Sequence, residues 1–430
     1  MRRKIDHILE QWRKQANKRL PILLYGARQV GKTYAIKQLG TEQFKNMVYL
    51  NFENDVVLSE LFLDRISPEY LIPRIEKYFN CIIIPDETLI FLDEVQACER
   101  ALTSLKYFAE EAPEYHVIAA GSLLGVALNR GKYSFPVGKV QILNMYPMDF
   151  EEYLWAKEET YLSETIREHF LSNQPFSEIL HSRALLLYHE YLMIGGMPAV
   201  VLSSLQDEKG IPYTDMQELI LNAYMGDTAK YTTNMEAVRI QGAYDSMTMQ
   251  LAKDNKKFQY KLIKSGARAS QYGDSIDWLI RSGIVLQCTR CVQGSMPPSA
   301  YRDLASFKLY FSDVGLLFKK SNMRLNAITT GENNLFKGAL IENYTACALK
   351  SNGYELLYWT SENTAEVDFV IVRDDGVIPI ECKAGTHVKA KSLTVYSEKY
   401  APTYSIRISE RNFGLQSGIK SVPLYAVFCI

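Results

Sequence analysis

Short apolar runs alternate with longer helical patterns over the first third of the chain. The runs PILLYG, MVYLNF, TLIFLDE and YHVIAAGS have the length and the apolar character of buried strands, and a longer periodic segment follows each of them. Strands that alternate with helices in this way are typical of a parallel sheet with crossover helices. We therefore predict an α/β domain with a parallel sheet over residues 1–150.

The pattern changes three times further along the chain. Residues 151–240 have helical periodicity with a break at GGMPAV, which predicts a helical lid or extension. Residues 241–325 contain the helical patterns KKFQYKLIKSG and SIDWLIRSG before the strand-like runs IVLQCTRCVQ and FKLYFSDVGLL, and this order predicts a winged-helix-like unit. Residues 326–430 begin with a helix over LFKGALIENYTACALKSNG and continue with the strands ELLYWT, EVDFVIV and VIPIECK. We predict a second α/β domain there.

The size and composition of the chain fit several folded domains. Its 430 residues exceed one ordinary core, and 47% hydrophobic with 23% charged residues is typical of folded proteins. A formal net charge of −1 gives no overall attraction to nucleic acid or lipid, so such binding needs a local patch. The longest apolar stretch, VIAAGSLLGVAL, is shorter than the roughly 20 residues of a spanning helix. Seven scattered cysteines favour a reducing compartment, and we predict a cytoplasmic protein without a membrane segment.

A phosphate-binding loop is predicted directly after the first strand. The segment YGARQVGKT has the spacing G-x-x-x-x-G-K-[ST] between a strand and a helix. Glycines let backbone N–H groups turn toward phosphate oxygens, and the helix N-terminus adds positive potential. We expect Lys32 to hold the β- and γ-phosphates of ATP and Thr33 to ligate Mg²⁺; the alternative is a glycine turn before an ordinary helix. The predicted nucleotide-binding residues are Gly26, Ala27, Arg28, Gln29, Val30, Gly31, Lys32, Thr33 and Tyr34.

An acidic pair closes the third apolar run. Asp93 and Glu94 end LIFLDE, and parallel strands present such carboxylates at the carboxyl edge of the sheet, beside the phosphate loop. We expect Asp93 to orient Mg²⁺ or its waters and Glu94 to polarise the attacking water. The alternative is that both acids only cap the next helix.

These residues resemble the AAA+ class of P-loop ATPases. Ser122 ends VIAAGS, where that class has its sensor-1 polar residue, and Asn51 ends the second strand, where the class often has an Asn that restrains the catalytic Glu. A helix cap for Ser122 and an Asx turn for Asn51 are the alternatives. The resemblance implies ATP hydrolysis with Mg²⁺ and a catalytic set of Glu94, Lys32, Ser122 and Asn51. It also implies a homo-oligomer, because many relatives hydrolyse ATP at subunit boundaries.

The resemblance to one prokaryotic AAA+ family extends over the whole chain. The segments SFPVGKVQILNMYPMDFEEYL, GGMPAV and KLYFSDVGLL are similar to that family, whose C-terminal domain has no known function. Relatives often have Arg where Lys139 stands here, and Lys is a poorer fork for phosphate. No arginine finger can therefore be placed from the sequence: Arg130 is a candidate, but a solvated surface residue is the favoured interpretation.

Three charged residues interrupt the apolar pattern of the last predicted hairpin. Asp368 lies in EVDFVIV, and strand alternation puts Glu381 and Lys383 on one face of VIPIECK. A two-residue loop at 375–376 sets Asp368 opposite Lys383, whereas a loop one position earlier sets Asp368 opposite Glu381. Either register gathers the three charges on one face.

This constellation resembles the PD-(D/E)xK nuclease superfamily. Glu342 shares a helical stripe with apolar residues and is expected to face the same sheet, and converging carboxylates need a divalent cation or a lysine to neutralise them. By that resemblance Asp368 and Glu381 bind metal, Lys383 orients or activates water, and Glu342 assists. The alternative is a salt-bridged cluster in a fold that does not cut.

Two functions follow from these expectations. The first is an ATP-driven switch or motor whose nuclease-like domain engages DNA or RNA and cleaves it with a metal ion. The second is a regulatory ATPase with a nuclease-dead C-terminal domain that binds a protein partner. Basic residues bear on this choice, either as phosphate contacts or as a solvated face; they are Lys256, Lys257, Lys261, Lys264, Arg268, Lys389 and Lys391.

Overall fold

The computed structural model describes residues 1–15, 19–122, 136, 138–206, 210–323, 335–361, 365–373, 376–385 and 391–430. The chain divides into two compact units, Met1–Tyr146 with Arg281–Gly283, and Pro147–Ile280 with Ile284–Ile430. Each unit has a sheet of its own. The finer division of the chain at residues 150, 240 and 325 stays a prediction.

The first unit contains a parallel five-stranded sheet in the order β2-β3-β4-β1-β5. Its strands are β1 (Ile22–Tyr25), β2 (Asn46–Asn51), β3 (Thr88–Asp93), β4 (His116–Gly121) and β5 (Gln141–Asn144). Its helices are α1 (Lys4–Arg13), α2 (Lys32–Gln43), α3 (Pro68–Phe79) and α4 (Glu99–Glu111). The parallel α/β architecture predicted from the alternating pattern is confirmed.

The centre of this sheet is apolar and positions the polar residues at its edge. Every residue of β3 and β4 is buried, and Leu92 and Val117 share one hydrophobic cluster with Leu105 and Phe108 of α4. Because the strands are parallel, the carboxyl ends of β1, β3 and β4 lie at the same edge. The glycine loop after β1, the acid at the end of β3 and Ser122 after β4 therefore meet there.

The second unit begins with helices, as the periodicity predicts. They are α5 (Phe150–Ala156), α6 (Thr160–Ser172), α7 (Glu178–Ile194), α8 (Pro198–Leu205), α9 (Tyr213–Tyr231), α10 (Asn234–Leu251) and α11 (Ala269–Arg281), and α12 (Val314–Lys320), α13 (Leu335–Ser351) and α14 (Lys391–Tyr400) follow later. The break at GGMPAV separates α7 from α8, and a Cβ atom at Gly196 would lie 1.8 Å from the carbonyl oxygen of Met148. In the described part of the chain, no helix combines the length and the apolar composition that crossing a membrane requires.

The sheet of the second unit has eight strands in the order β12-β13-β11-β10-β9-β8-β6-β7. The strands are β6 (Val285–Cys291), β7 (Arg302–Phe311), β8 (Leu357–Thr360), β9 (Glu366–Arg373), β10 (Gly376–Cys382), β11 (Ser405–Ser409), β12 (Gly414–Gln416) and β13 (Ile419–Pro423). Strands β6 and β7 form the antiparallel hairpin that was expected to be a wing, but β6 also pairs in parallel with β8. The winged-helix assignment is not confirmed, because this hairpin is the edge of the same sheet that contains the last three predicted strands.

Candidate functional site

The loop between β1 and α2 needs glycine at both of its ends. Gly31 precedes α2 with a φ of 98°, a left-handed conformation that glycine adopts without steric cost. A Cβ atom at Gly26 would lie 2.3 Å from the carbonyl oxygen of Met145, so only glycine lets the loop pass the end of β5 this closely. The segment is therefore a tight turn from strand into helix, as its glycine spacing predicts.

The side chain of Lys32 is buried against this loop. Its Nζ donates hydrogen bonds of 2.8 Å to the carbonyl oxygens of Gly26 and Ala27. Burial lowers the pKa of Lys32 to about 8, although Glu94 and Asp93 act to raise it. Within the described residues the hydrogen-bond partners of this ammonium group are neutral, so no direct ion pair cancels its charge. A polyphosphate is the kind of ligand that such a cation attracts.

Asp93, the last residue of β3, lies beside the start of α2. Its Oδ2 accepts hydrogen bonds from Thr33 Oγ1 at 3.0 Å and from the Tyr49 hydroxyl at 2.8 Å, and its Oδ1 accepts one from the Glu94 N–H at 3.1 Å. Burial raises the pKa of Asp93, against the hydrogen bonds from Tyr49 and Thr33 that lower it. A hydroxyl and a carboxylate oxygen this close are hard ligands, so Thr33 and Asp93 fit the Mg²⁺ ion that the loop motif predicts.

Glu94 and Ser122 lie together at the carboxyl edge of the sheet. Glu94 has a left-handed backbone with a φ of 51°. Its Oε2 accepts a hydrogen bond from Gln96 Nε2 at 2.5 Å and one from Ser122 Oγ at 3.4 Å. Residues 123–135 lie outside the described ranges, so the helix that Ser122 was alternatively expected to cap is not described. Glu94 and Ser122 are therefore in contact, and their catalytic and sensor-1 roles stay predictions.

Asn51 makes the Asx turn that was its alternative prediction. Its Oδ1 accepts hydrogen bonds from the N–H groups of Glu53 at 3.1 Å and Asn54 at 2.8 Å, and its Nδ2 donates to the Tyr49 hydroxyl at 2.9 Å. Among the described residues, none of its hydrogen bonds reaches Glu94. Asn51 is thus connected to Asp93 through Tyr49, and its predicted restraint of Glu94 stays a prediction.

The C-terminal hairpin takes the second of the two predicted registers. Strands β9 and β10 pair from Gly376 with Arg373 to Ile380 with Phe369, which is the register of the loop one position earlier. Lys383 Nζ lies 3.0 Å from Glu381 Oε1, and the Glu381 side chain is only 2% exposed. Asp368 is half-buried, and its Oδ2 accepts a 2.7 Å hydrogen bond from the N–H of Cys382. The gathering of all three charges on one face stays a prediction.

Glu342 joins this group from helix α13, but two lysines neutralise it. Its Oε1 is paired with Lys256 Nζ, and its Oε2 lies 3.0 Å from the Tyr310 hydroxyl and 3.7 Å from Lys308 Nζ. Burial alone would raise the pKa of Glu342, but Lys308 and Lys256 lower it below its ordinary value. Burial and the nearby Glu342 carboxylate raise the pKa of Asp368 well above its ordinary value.

Lys308 is the most deeply buried cation of this group. Its side chain is 1% exposed, and Nζ lies 2.5 Å from Glu366 Oε1 on the other side from Glu342. Burial alone would lower the pKa of Lys308, but the carboxylates of Glu342, Glu366 and Asp368 raise it above its ordinary value. Glu342, Glu366 and Asp368 lie around two cations, Lys308 and Lys256, and the raised pKa of Asp368 favours its uncharged form, so this neutralised cluster has a net charge close to zero.

Most carboxylate oxygens of this group already have partners, which leaves few ligands for the divalent ion that the nuclease resemblance implies. Glu381 Oε2 is an exception, since it is buried and has no hydrogen-bond partner in the described part of the chain. Both oxygens of Glu342 are occupied by cations or a hydroxyl, and one oxygen of Asp368 by a backbone N–H. Among the described residues, no group of three or more His, Cys, Asp or Glu side chains is arranged to hold a metal ion. The metal roles of Asp368 and Glu381 stay predictions.

Comparison with known families assigns the first unit. Residues 18–154 match the family model of an AAA domain. This region is an AAA domain of the P-loop ATPase class. Residues 185–326 and 337–427 match models of two domains of unknown function, DUF8612 and DUF4143. The nuclease-like assignment of the C-terminal region is therefore not confirmed.

Individual relatives of the chain are distant. The uncharacterized protein MJ1544 of Methanocaldococcus jannaschii is 20% identical over 368 residues, which are 81% of this chain and 71% of that protein. The Walker-type ATPase PABY2304 of Pyrococcus abyssi has 14% identity and a TM-score of 0.41, over 74% of this chain and 95% of that chain. The ORC2 protein of Aeropyrum pernix has 12% identity and a TM-score of 0.32, over 75% of this chain and 92% of that chain. At these values the likeness carries no statement about activity.

Two residues of the AAA domain site were missed by sequence reasoning. Tyr49 donates to Asp93 and lies under the Lys37 ammonium group, 3.8 Å from the ring centroid. Strand alternation in β2 does place Tyr49 on the face of Asn51, but it does not say which carboxylate the hydroxyl reaches. The second residue is Arg3, whose Nη1 donates to the Val30 carbonyl at 2.9 Å. A basic N-terminus carries no signal for that contact with the loop.

Other predicted residues lie away from this site or outside the described ranges. Arg130 and Lys389 lie outside the described residues. Lys139, the residue that stands where relatives often have Arg, forms an ion pair of 3.0 Å with Glu110. Tyr34 is 61% exposed at the start of α2. No arginine finger is assigned among the described residues of the AAA domain.

Proposed function

We propose that the AAA domain binds ATP together with Mg²⁺ and hydrolyses it. The observation that carries this proposal is the 3.0 Å contact between Thr33 Oγ1 and Asp93 Oδ2, beside the loop that holds Lys32. Thr33 and Asp93 would hold the ion, which supplies positive charge beside the phosphate oxygens when it is bound. Lys32 binds the β- and γ-phosphates through its ammonium group. Glu94, held by Gln96 and Ser122, orients the attacking water.

Nucleotide binding and phosphate release, measured on the same samples, test this proposal. We expect Lys32→Ala to lose ATP binding, and Glu94→Gln to keep binding while hydrolysis falls by about 10²- to 10³-fold. Lys45→Ala is the matched control, because Lys45 is an exposed lysine of the same domain that pairs with Glu87. Hydrolysis that persists at the wild-type rate in Lys32→Ala would overturn the proposal. A rise of turnover per chain with protein concentration is the result expected of a homo-oligomer.

We propose further that the second unit engages nucleic acid without cutting it. The contact of Lys383 with Glu381, on the strand next to that of Asp368, supports the resemblance to a nuclease-like fold. The pairing of Glu342 with Lys256 and Lys308 supports a role without a catalytic metal, because the ammonium groups already neutralise the carboxylate. ATP state would then control access of a nucleic acid strand to this unit. A protein partner is the alternative.

Labelled DNA and RNA distinguish these functions. Binding that depends on salt, with no strand scission in Mg²⁺ or Mn²⁺, is the expected result. Scission by the wild-type protein that disappears in Asp368→Ala and Lys383→Ala, while ATP hydrolysis continues, would instead establish a nuclease. Absence of binding to every DNA and RNA form would favour the protein partner.

A further inference from the structure

A polar pocket lies within the second unit, beside the neutralised cluster, with which it shares Glu366. Its volume is about 330 Å³, which is within the range of small-ligand pockets. Four neighbouring strands line it: β6 with Arg290, β7 with Ser306, β8 with Tyr358 and Thr360, and β9 with Glu366. The segment after α10 closes it with Asn255 and Lys257.

The two cations of this pocket, Lys257 and Arg290, have no close ion pair among the described residues. Lys257 Nζ forms no hydrogen bond and no ion pair within 4 Å with any residue in the described ranges, although its charge and that of Arg290 both lower the pKa of Asp303. Arg290 has only a long contact of 3.6 Å from Nη1 to Asp303 Oδ2, and its Nε has no hydrogen-bond partner in the described part of the molecule. Burying a guanidinium nitrogen without a partner costs free energy, but this Nε has almost no accessible surface. The Arg290 side chain as a whole is 29% exposed, so a ligand oxygen would meet its Nη groups instead.

The one carboxylate in the pocket wall is already neutralised. Glu366 Oε1 lies 2.5 Å from Lys308 Nζ, and Lys308 is buried behind the wall. The Lys308 ammonium group also lies 4.9 Å from the centroid of the Tyr358 ring. The charges left to act on a ligand are therefore those of Lys257 and Arg290, and a ligand with negative charge is favoured over a cation or a neutral molecule.

The remaining lining groups favour oxygen-rich ligands. Ser306, Tyr358, Thr360 and Ser361 bring hydroxyl groups to the wall, and Ala365 is the one apolar side chain among the described lining residues. A guanidinium fork, an ammonium group and several hydroxyl donors are the combination that recognises phosphate. We infer that this pocket binds a phosphate group of a nucleic acid strand, with Arg290 and Lys257 as its charged ligands.

The place of the pocket ties it to the rest of the unit. Glu366 and Asp368 are two residues apart on β9, so both side chains lie on the same face of the sheet. Lys256 reaches Glu342 while its neighbour Lys257 lines the pocket, so the pairing of Lys256 fixes the pocket wall. This inference rests on the proposed engagement of nucleic acid, for which it names the residues that contact the phosphate.

The test is fluorescence anisotropy of labelled single-stranded DNA and RNA with the full chain. We expect Lys257→Ala combined with Arg290→Ala to weaken binding at least tenfold, and to reduce the slope of log K against log salt by about 1.4, which is two phosphate contacts. Arg290→Lys, which keeps the charge but loses the fork, is expected to weaken binding by about threefold. The control is Lys253→Ala combined with Lys399→Ala, which removes equal charge from two exposed positions outside the pocket.

The possible outcomes separate this inference from the proposed function. Wild-type affinity in the Lys257/Arg290 double variant, with tight binding by the wild-type protein, would overturn the pocket and leave nucleic acid engagement intact. Binding of pyrophosphate that depends on Lys257 and Arg290, in a protein that binds no strand, would support the phosphate site and identify a free phosphorylated molecule as its ligand. If the wild-type protein bound neither a nucleic acid strand nor pyrophosphate, both the pocket inference and the proposed nucleic acid engagement would be overturned. Unchanged urea unfolding of the second unit in each variant checks that the unit that carries the changes is folded.

Discussion

The AAA domain and the second unit both bury lysine near carboxylates, yet they treat its charge differently. Lys32 donates to two backbone carbonyls, and its neighbours Asp93 and Glu94 form hydrogen bonds with other groups. Lys308 instead lies between Glu342 and Glu366, which are carboxylates. The first lysine keeps a charge that a ligand can use, whereas the second lysine holds its own unit together. Burial of a charge therefore indicates function only when its partners are neutral.

The pKa values follow the same division. Burial lowers the pKa of Lys32 to about 8, so folding disfavours its charged form. Carboxylates raise the pKa of Lys308 despite its burial, so folding favours the charged form there. A polyphosphate would reverse the balance at Lys32 by adding negative charge beside it. We therefore expect removal of Lys308 to reduce stability, and removal of Lys32 to reduce ligand binding while stability changes little.

The largest effect is expected from Lys308→Met. This change leaves Glu342 and Glu366 buried without their shared cation, and breaking a buried ion pair in this way costs about 3–5 kcal/mol. Lys32→Met is the matched variant, and we expect its free energy of unfolding to stay within about 1 kcal/mol of wild type, since it removes a disfavoured charge. Urea unfolding, followed with a separate probe for each unit, measures the free energy of unfolding of both variants.

Two results would contradict this comparison. Equal stability of Lys308→Met and the wild-type protein would mean that the carboxylates take up protons or water at little cost. A large loss in Lys32→Met would mean that the glycine loop depends on its lysine for folding. Adding Glu366→Gln to Lys308→Met should restore part of the lost stability, because one of the two unpaired charges is then removed.

A smaller effect is expected from Lys256→Met, which takes away the second cation. Its side chain is 13% exposed, so solvent screens part of the loss, and we expect about 1–3 kcal/mol. Lys256 also acts to lower the pKa of Asp368. Without it, Glu342 and Asp368 would be neutralised less fully, and Mn²⁺ should raise the melting temperature of the variant but not of the wild type. Lys261→Met is the control at an exposed position. If Mn²⁺ changed the melting temperature of neither Lys256→Met nor the wild-type protein, the carboxylates would not be aligned for a metal.

The features that the sequence predicted best are those set by neighbouring residues. The glycine loop, the acid at the end of β3 and the charges of the hairpin each depend on strand alternation or on one turn. The register of the hairpin was left open because the position of the loop between β9 and β10 decides it, and both registers predicted Asp368 on the face of Glu381. Periodicity alone could rank neither register above the other.

The features that were missed depend on contacts between distant segments. The β6 and β7 hairpin was predicted as a separate wing because nothing near residue 290 indicates that β6 pairs with β8. Lys256 and Lys308, which neutralise Glu342, precede it in the sequence by 86 and 34 residues. Local patterns predict which face a residue occupies, and the partner on that face comes from the tertiary structure.

The smallest effect is expected from Tyr49→Phe in the AAA domain. The change removes the hydrogen bond to Asp93 Oδ2 and that from Asn51 Nδ2, which together position the carboxylate beside Thr33. A lost hydrogen bond of this kind costs about 1 kcal/mol, so we expect the Mg²⁺ concentration needed for half-maximal ATP hydrolysis to rise about fivefold. ATP binding without Mg²⁺ should not change, because Tyr49 does not line the loop.

A matched variant distinguishes this role from simple packing. Tyr78 donates to Asp55 Oδ2 at the same 2.8 Å, but on the exposed surface of the same domain. If Tyr49→Phe and Tyr78→Phe had the same Mg²⁺ dependence as the wild type, the hydroxyl would not position Asp93. If Tyr49→Phe instead weakened ATP binding without Mg²⁺, the residue would support the loop rather than the metal ligand. If only the Mg²⁺ dependence shifts, Lys32 and Asp93 are positioned independently, Lys32 by the loop carbonyls and Asp93 by Tyr49. The charges around Lys308, in contrast, neutralise one another.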